Sequence, residues 1–138
     1  MPKDPHNLQR FIDAQEAMYG KALAELRAGK KQSHWMWYIF PQTPKTGMGK
    51  MAKFYAIGSK EEAQAYHDHP LLGTRLVECT EAVLVHADRS LVEIFGNELD
   101  AMKFLSCMRL FRHVDSTGLF DEGLRIFGEG GGDGKRKR

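Results

Sequence analysis

No apolar run in this chain approaches the roughly 20 residues that a membrane-crossing helix requires; the longest, Trp35 to Phe40, stops far short. Cysteine is scarce. Cys79 and Cys107 are too few for a disulfide framework and read as reduced, buried thiols, as in a cytoplasmic protein. The opening Met1-Pro2-Lys3-Asp4-Pro5-His6 has no apolar stretch leading to a small-residue cleavage site, so no secretory leader is expected. No segment alternates convincingly with period two, which argues against a sheet, and there is no internal repeat.

A surplus of one charge is also missing from the body of the chain. The 138 residues hold 20 basic and 18 acidic side chains, a formal net charge of +2. The last ten residues, 129–138, carry four of the basic and two of the acidic groups, leaving 16 of each sign in residues 1–128. The basicity therefore belongs to the Gly-rich tip ending Lys135-Arg136-Lys137-Arg138, which reads as a flexible tail. Such a tip adds weak, salt-sensitive attraction to phosphate but is no groove-reading module, so nucleic acid is not the expected partner.

What is present is helical periodicity. Leu8, Phe11, Ile12, Gln15, Met18, Tyr19, Ala22, Leu23 and Leu26 recur at three- and four-residue steps, the stripe a core-facing helix needs. Asp4 followed by Pro5 suits its start and Gly29 its end, and Gly20 inside the stripe predicts a break or kink near Gln15–Gly20. Ser33 is the expected N-cap of a short helix, 34–40, halted by Pro41. Residues 42–53 read as a long loop marked by Pro44, Gly47 and Gly49. Ser59 with Glu62 is a capping-box pattern for a helix ended by His69-Pro70. Further helices are expected over about 71–86, over 91–95 behind Ser90, from Asn97 or Asp100 onward, and over 119–127. The expectation is all-α: a compact single domain over residues 4–128, a bundle of six or seven unequal helices.

The aromatic segment Ser33-His34-Trp35-Met36-Trp37-Tyr38-Ile39-Phe40-Pro41-Gln42 holds both tryptophans. On a helix, His34, Trp37 and Tyr38 share one side, and Trp35 and Ile39 a neighbouring strip. One reading is a core helix whose polar tips meet backbone carbonyls; the other is a surface that stacks a planar ligand. Lys103, set among apolar neighbours, either pairs with Asp100 or points its ammonium into a pocket. His67 and His69 are too close in sequence to share a helical face, so no metal is expected, and no cofactor either. Gly47-Met48-Gly49-Lys50 lacks the spacing of a phosphate-binding loop and reads either as a loop that bends over the aromatic helix or as a plain connector.

The aromatic segment, together with Leu8-Gln9-Arg10-Phe11, Phe54-Tyr55-Ala56-Ile57, His69-Pro70-Leu71-Leu72-Gly73, Ile94-Phe95-Gly96 and Ser106-Cys107-Met108, resembles the bacterial domain-of-unknown-function family 1810, some members of which have been mislabelled calpastatin. The resemblance spans about residues 4–127 and implies a single all-helical domain of no established activity. Two departures stand out: Arg109 where the family pattern often has threonine, and the basic tail in place of a longer C-terminal end. A fainter similarity, in helical character and in the placing of aromatic and lysine-methionine motifs, is to the YbiA-like N-glycosidases. It implies a nucleotide or ADP-ribose derivative as ligand. Trp37 or Tyr55 would stack the base, Lys103 or Arg75 would meet phosphate or ribose oxygens, and His34, Glu62 or Asp100 would assist departure of the base.

The catalytic candidates are thus His34, Lys103 and Asp100, and the ligand-binding candidates Trp35, Trp37, Tyr38, Gln42, Tyr55 and Arg75. The alternative is a non-catalytic module for a partner protein, motivated by seven methionines and eight phenylalanines that exceed what a small core must hold.

Overall fold

The computed structural model describes residues 4–128. Among them are eight helices and no strand: α1 (Gln9–Ala28), α2 (Met36–Ile39), α3 (Lys50–Phe54), α4 (Lys60–Asp68), α5 (Leu72–Leu84), α6 (Leu91–Phe95), α7 (Glu98–Phe111) and α8 (Leu119–Phe127). The all-α reading holds; the basic tail lies outside the described residues. The eighth helix, α3, sits inside the expected loop. None of its five residues is buried, so it has no apolar stripe by which periodicity could reveal it.

The N-terminal turn also differs from expectation. Asp4 does take the first N–H groups, from Leu8 at 2.7 Å and Gln9 at 2.9 Å, but helix geometry begins only after Asn7, whose φ is 51°. The predicted break near Gln15–Gly20 is absent. Gly20 is exposed with open space around it, and the ~1 kcal/mol that glycine costs a helix is outweighed by burial of Phe11, Ala22, Leu23 and Leu26 on the opposite face.

Helix α5 lies against α1, α4 and α8, while α7 packs on α6, α8 and α4. The core between them is rich in rings: Phe40 meets Phe104 edge-on at 5.1 Å and Phe95 at 5.9 Å, and Phe11 meets Tyr66 at 4.9 Å. Two devices fix the corner between α4 and α5. His69 Nδ1 accepts the N–H groups of Leu71 (3.1 Å) and Leu72 (3.2 Å), serving the next helix as a cap. At Gly73 a Cβ would stand 2.0 Å from the His67 carbonyl oxygen, so the closeness of the two helices requires glycine there. Both cysteines are buried, and burial pushes the Cys79 thiol up to about 12.

Candidate functional site

The aromatic turn is organised by a carboxylate that sequence reading passed over. Glu25, on the last turn of α1, accepts hydrogen bonds from Gln32 N (2.8 Å), Ser33 N (3.0 Å), Ser33 Oγ (2.7 Å) and Trp35 Nε1 (2.9 Å). Burial alone would raise its pKa, but these donors outweigh it and hold the carboxyl below its ordinary range. Ser33 is therefore a donor to Glu25 and not the expected N-cap; α2 starts at Met36, with Trp35 in the cap position. That shift takes His34 off the helix, where it is exposed and no longer shares a side with Trp37 and Tyr38.

Apart from His34, the nine residues proposed from sequence separate into two groups, with Glu62, also named for departure of the base, beside the first. Trp35 is fully buried, with its indole N–H taken by Glu25. Tyr38 is buried and lies 5.4 Å from the half-buried ring of Tyr55, which also meets Phe11 at 5.7 Å and Phe54 at 4.8 Å. Arg75, on α5, donates to Gln15 Oε1 (3.2 Å) and stacks 4.5 Å from the Tyr19 ring. Gln15 in turn donates to the Tyr38 carbonyl (2.6 Å) and the Tyr66 hydroxyl (3.2 Å), so Arg75 closes an internal network. Glu62 is paired with Arg10 at 2.7 Å and accepts the Gly58 N–H at 3.0 Å. These groups have structural partners and do not converge with His34.

The second group does converge. Trp37 and Gln42 line a groove of ≈ 600 Å³ together with Lys103, between α2, the 42–52 segment and the N-terminal half of α7. Lys103 Nζ lies 5.9 Å from the Trp37 ring centroid and 3.5 Å from Asp100 Oδ1. Asp100 sits behind the groove wall, where Lys31 Nζ approaches its other oxygen to 3.0 Å. Lys31 is itself almost buried and 5.2 Å from the Trp35 ring. Two ammonium groups thus share one carboxylate, and the surplus positive charge falls on the more exposed Lys103. Lys103 pairs with Asp100 and also lines the groove.

Of the rim, the 47–50 loop was expected beside the aromatic helix, while Lys45, Met51, Leu99 and Met102 were not. Lys45, Met48, Lys50 and Met51 come from the middle segment, and Leu99 and Met102 from α7. Leu99 is 71% and Met102 61% exposed, so part of the apolar surface of α7 lines the groove and not the core. A signal existed: α7 carries more apolar positions than one core stripe uses. For Lys31, nothing in its spacing pointed to Asp100. Elsewhere, His67 Nε2 pairs with Asp115 at 2.9 Å. Among the described residues no group of three or more His, Cys, Asp or Glu is placed to hold a metal ion, and no helix is long and apolar enough to cross a membrane.

Residues 5–138 match the family described as protein of unknown function (DUF1810). The chain belongs to this family. The match covers the whole helical body and continues to Arg138, over the basic tail. A crystal structure of the conserved hypothetical protein Rv1873 from Mycobacterium tuberculosis is similar, with 45% sequence identity and a TM-score of 0.85 over 90% of this chain and 89% of that one. No curated protein matches the chain. The family thus carries the fold firmly and no established activity.

Proposed function

We propose that the Trp37 groove binds a small anionic ligand carrying a flat ring, of the nucleotide or ribose-derivative class. The observation that carries this reading is Lys103, held by Asp100 beside the half-buried Trp37 ring on the wall of a ≈ 600 Å³ groove. A ring system can lie against Trp37 while phosphate meets Lys103, with Lys45 and Lys50 on the rim. The groove is of the size that small-molecule sites have.

Binding is favoured over N-glycosidic hydrolysis. Breaking that bond calls for a carboxylate at the sugar and a proton donor at the base. Asp100 is engaged by two lysines behind the wall, and His34 is not among the groove's lining residues. A second reading, a protein-interaction module, is supported by the exposed Met51, Leu99 and Met102 on the same rim.

The test is a thermal-shift and calorimetric titration with AMP, ADP-ribose and NAD. A true ligand at 100 times its Kd adds about 2.7 kcal/mol of stability, and Trp37→Ala and Lys103→Ala should each weaken it at least tenfold. No shift with any of the three, or binding that ignores both substitutions, would sink the reading.

A further inference from the structure

Two further depressions follow on from the Trp37 groove, the first sharing a lining residue with it and the other sharing residues only with that first one. The first, of ≈ 420 Å³, has Lys45 in common with the groove and runs past Ser106, Arg109 and His113; the other, of ≈ 510 Å³, shares Thr43 and His113 with the first and reaches Lys60. Shared lining residues thus link the three, one after another, into a track around the 43–45 segment. Its walls carry Lys45, Lys50, Lys60, Lys103 and His113, and among the described residues no Asp or Glu lines any of the three.

This is charge segregation in a body whose formal charges balance. Three nearby acids are already paired: Glu62 with Arg10, Asp100 with Lys31 and with Lys103 of the track itself, and Asp115 with His67 and Thr117. The track also has a direction. Lys103, Ser106, Leu110 and His113 follow one face of α7 and its C-terminal turn at three- and four-residue steps. At ~1.5 Å of rise per residue, Lys103 to His113 covers about 15 Å. That length suits roughly four nucleotides at the ~3.4 Å stacked spacing of one strand.

We infer that this track binds a short stretch of single-stranded nucleic acid, one base lying against Trp37 and successive phosphates following Lys103, Lys45 and Lys60. The inference rests on the Trp37 reading above and extends it from one nucleotide to several. The large exposed apolar side chains favour a strand over an acidic peptide. Met51, Leu99 and Met102, which are strongly exposed, all lie at the Trp37 end, whereas Ile57, Ala63, Leu110 and Val114, in the lining of the other two depressions, are buried or half-buried. An amphipathic peptide helix needs an apolar stripe along its whole length. A single strand needs one stacking platform and a line of cations, with hydroxyls such as Thr43 and Ser106 for phosphate oxygens.

The experiment is fluorescence anisotropy on the full chain with labelled oligothymidylates of two, four and eight nucleotides, at several salt concentrations. AMP and a polyglutamate peptide serve as competitors. Affinity should rise at least tenfold from the dimer to the octamer. The slope of log K against log salt should lie near −2 to −3, about −0.7 for each of three or four phosphates. Lys60→Ala with His113→Ala, both exposed side chains, should cost the octamer at least fivefold. If AMP binds but length adds nothing, the track is overturned and the Trp37 site stands; if neither binds, both fall. Octamer affinity indifferent to the Lys60/His113 pair assigns the attraction to the basic tail and overturns the track. So does polyglutamate binding more tightly than the octamer.

Discussion

Trp35 and Trp37 are two residues apart and live in opposite circumstances. The indole of Trp35 is sealed, its N–H fixed by Glu25 and its ring covered by Lys31, while that of Trp37 stands on a groove wall beside a partly exposed lysine. The turn between them separates a structural aromatic from a surface one. The same division runs through the charges: Glu25 and Asp100 both face inward, and one makes the turn rigid while the other holds a lysine at the groove.

The comparison can be broken most directly by truncation. Trp35→Ala should cost about 3–5 kcal/mol in urea denaturation, since it removes a fully buried ring and strands a bond to Glu25. Asp100→Asn comes next, at about 3 kcal/mol, because it leaves the nearly buried Lys31 ammonium without its counter-charge. Glu25→Gln should cost about 2 kcal/mol near neutral pH, the loss of charge-assisted bonds from several donors. Its pH signature sharpens the comparison. The folded pKa of Glu25 lies below its ordinary value of 4.5, so its contribution is complete above 4.5 and is lost as pH falls through the lower folded value. The gap in stability between wild type and Glu25→Gln should therefore close in acid. Trp37→Ala should cost no more than about 1 kcal/mol, and Leu99→Ser or Met102→Ser within about 0.5 kcal/mol. A Trp37→Ala loss equal to that of Trp35→Ala would erase the distinction between the two rings.

Much of the fold was legible because its determinants are local. The stripes of α1 and α5, the stop at Gly29, the reciprocal Ser90–Glu93 capping box and the Asn97 cap on Asp100 N all speak through short spacings. Glu62 shows the limit: Ser59 caps its N–H as expected, yet its carboxylate goes to Gly58 and Arg10, 52 residues away in sequence. The site was legible only in part for the same reason. Lys103, Asp100 and Trp37 stood out by residue type and neighbourhood. Periodicity placed His34 with Trp37 because it assumed helix from residue 34, and the Glu25–Ser33 bonds move that start to Met36. The Lys31–Asp100 pair and the alignment of Lys45 with Ser106 (3.1 Å) depend on chain segments meeting from afar, which no spacing announces.

The cap at the α4–α5 corner carries a consequence of its own. His69 Nδ1 faces two N–H donors and must present a lone pair, so the neutral ring keeps its hydrogen on Nε2. The opposite tautomer would set a donor against two donors, and the first turn of α5 would lose its acceptor. The tautomer of one half-buried imidazole, readable from its nitrogen resonances, thus reports whether the first turn of α5 is capped.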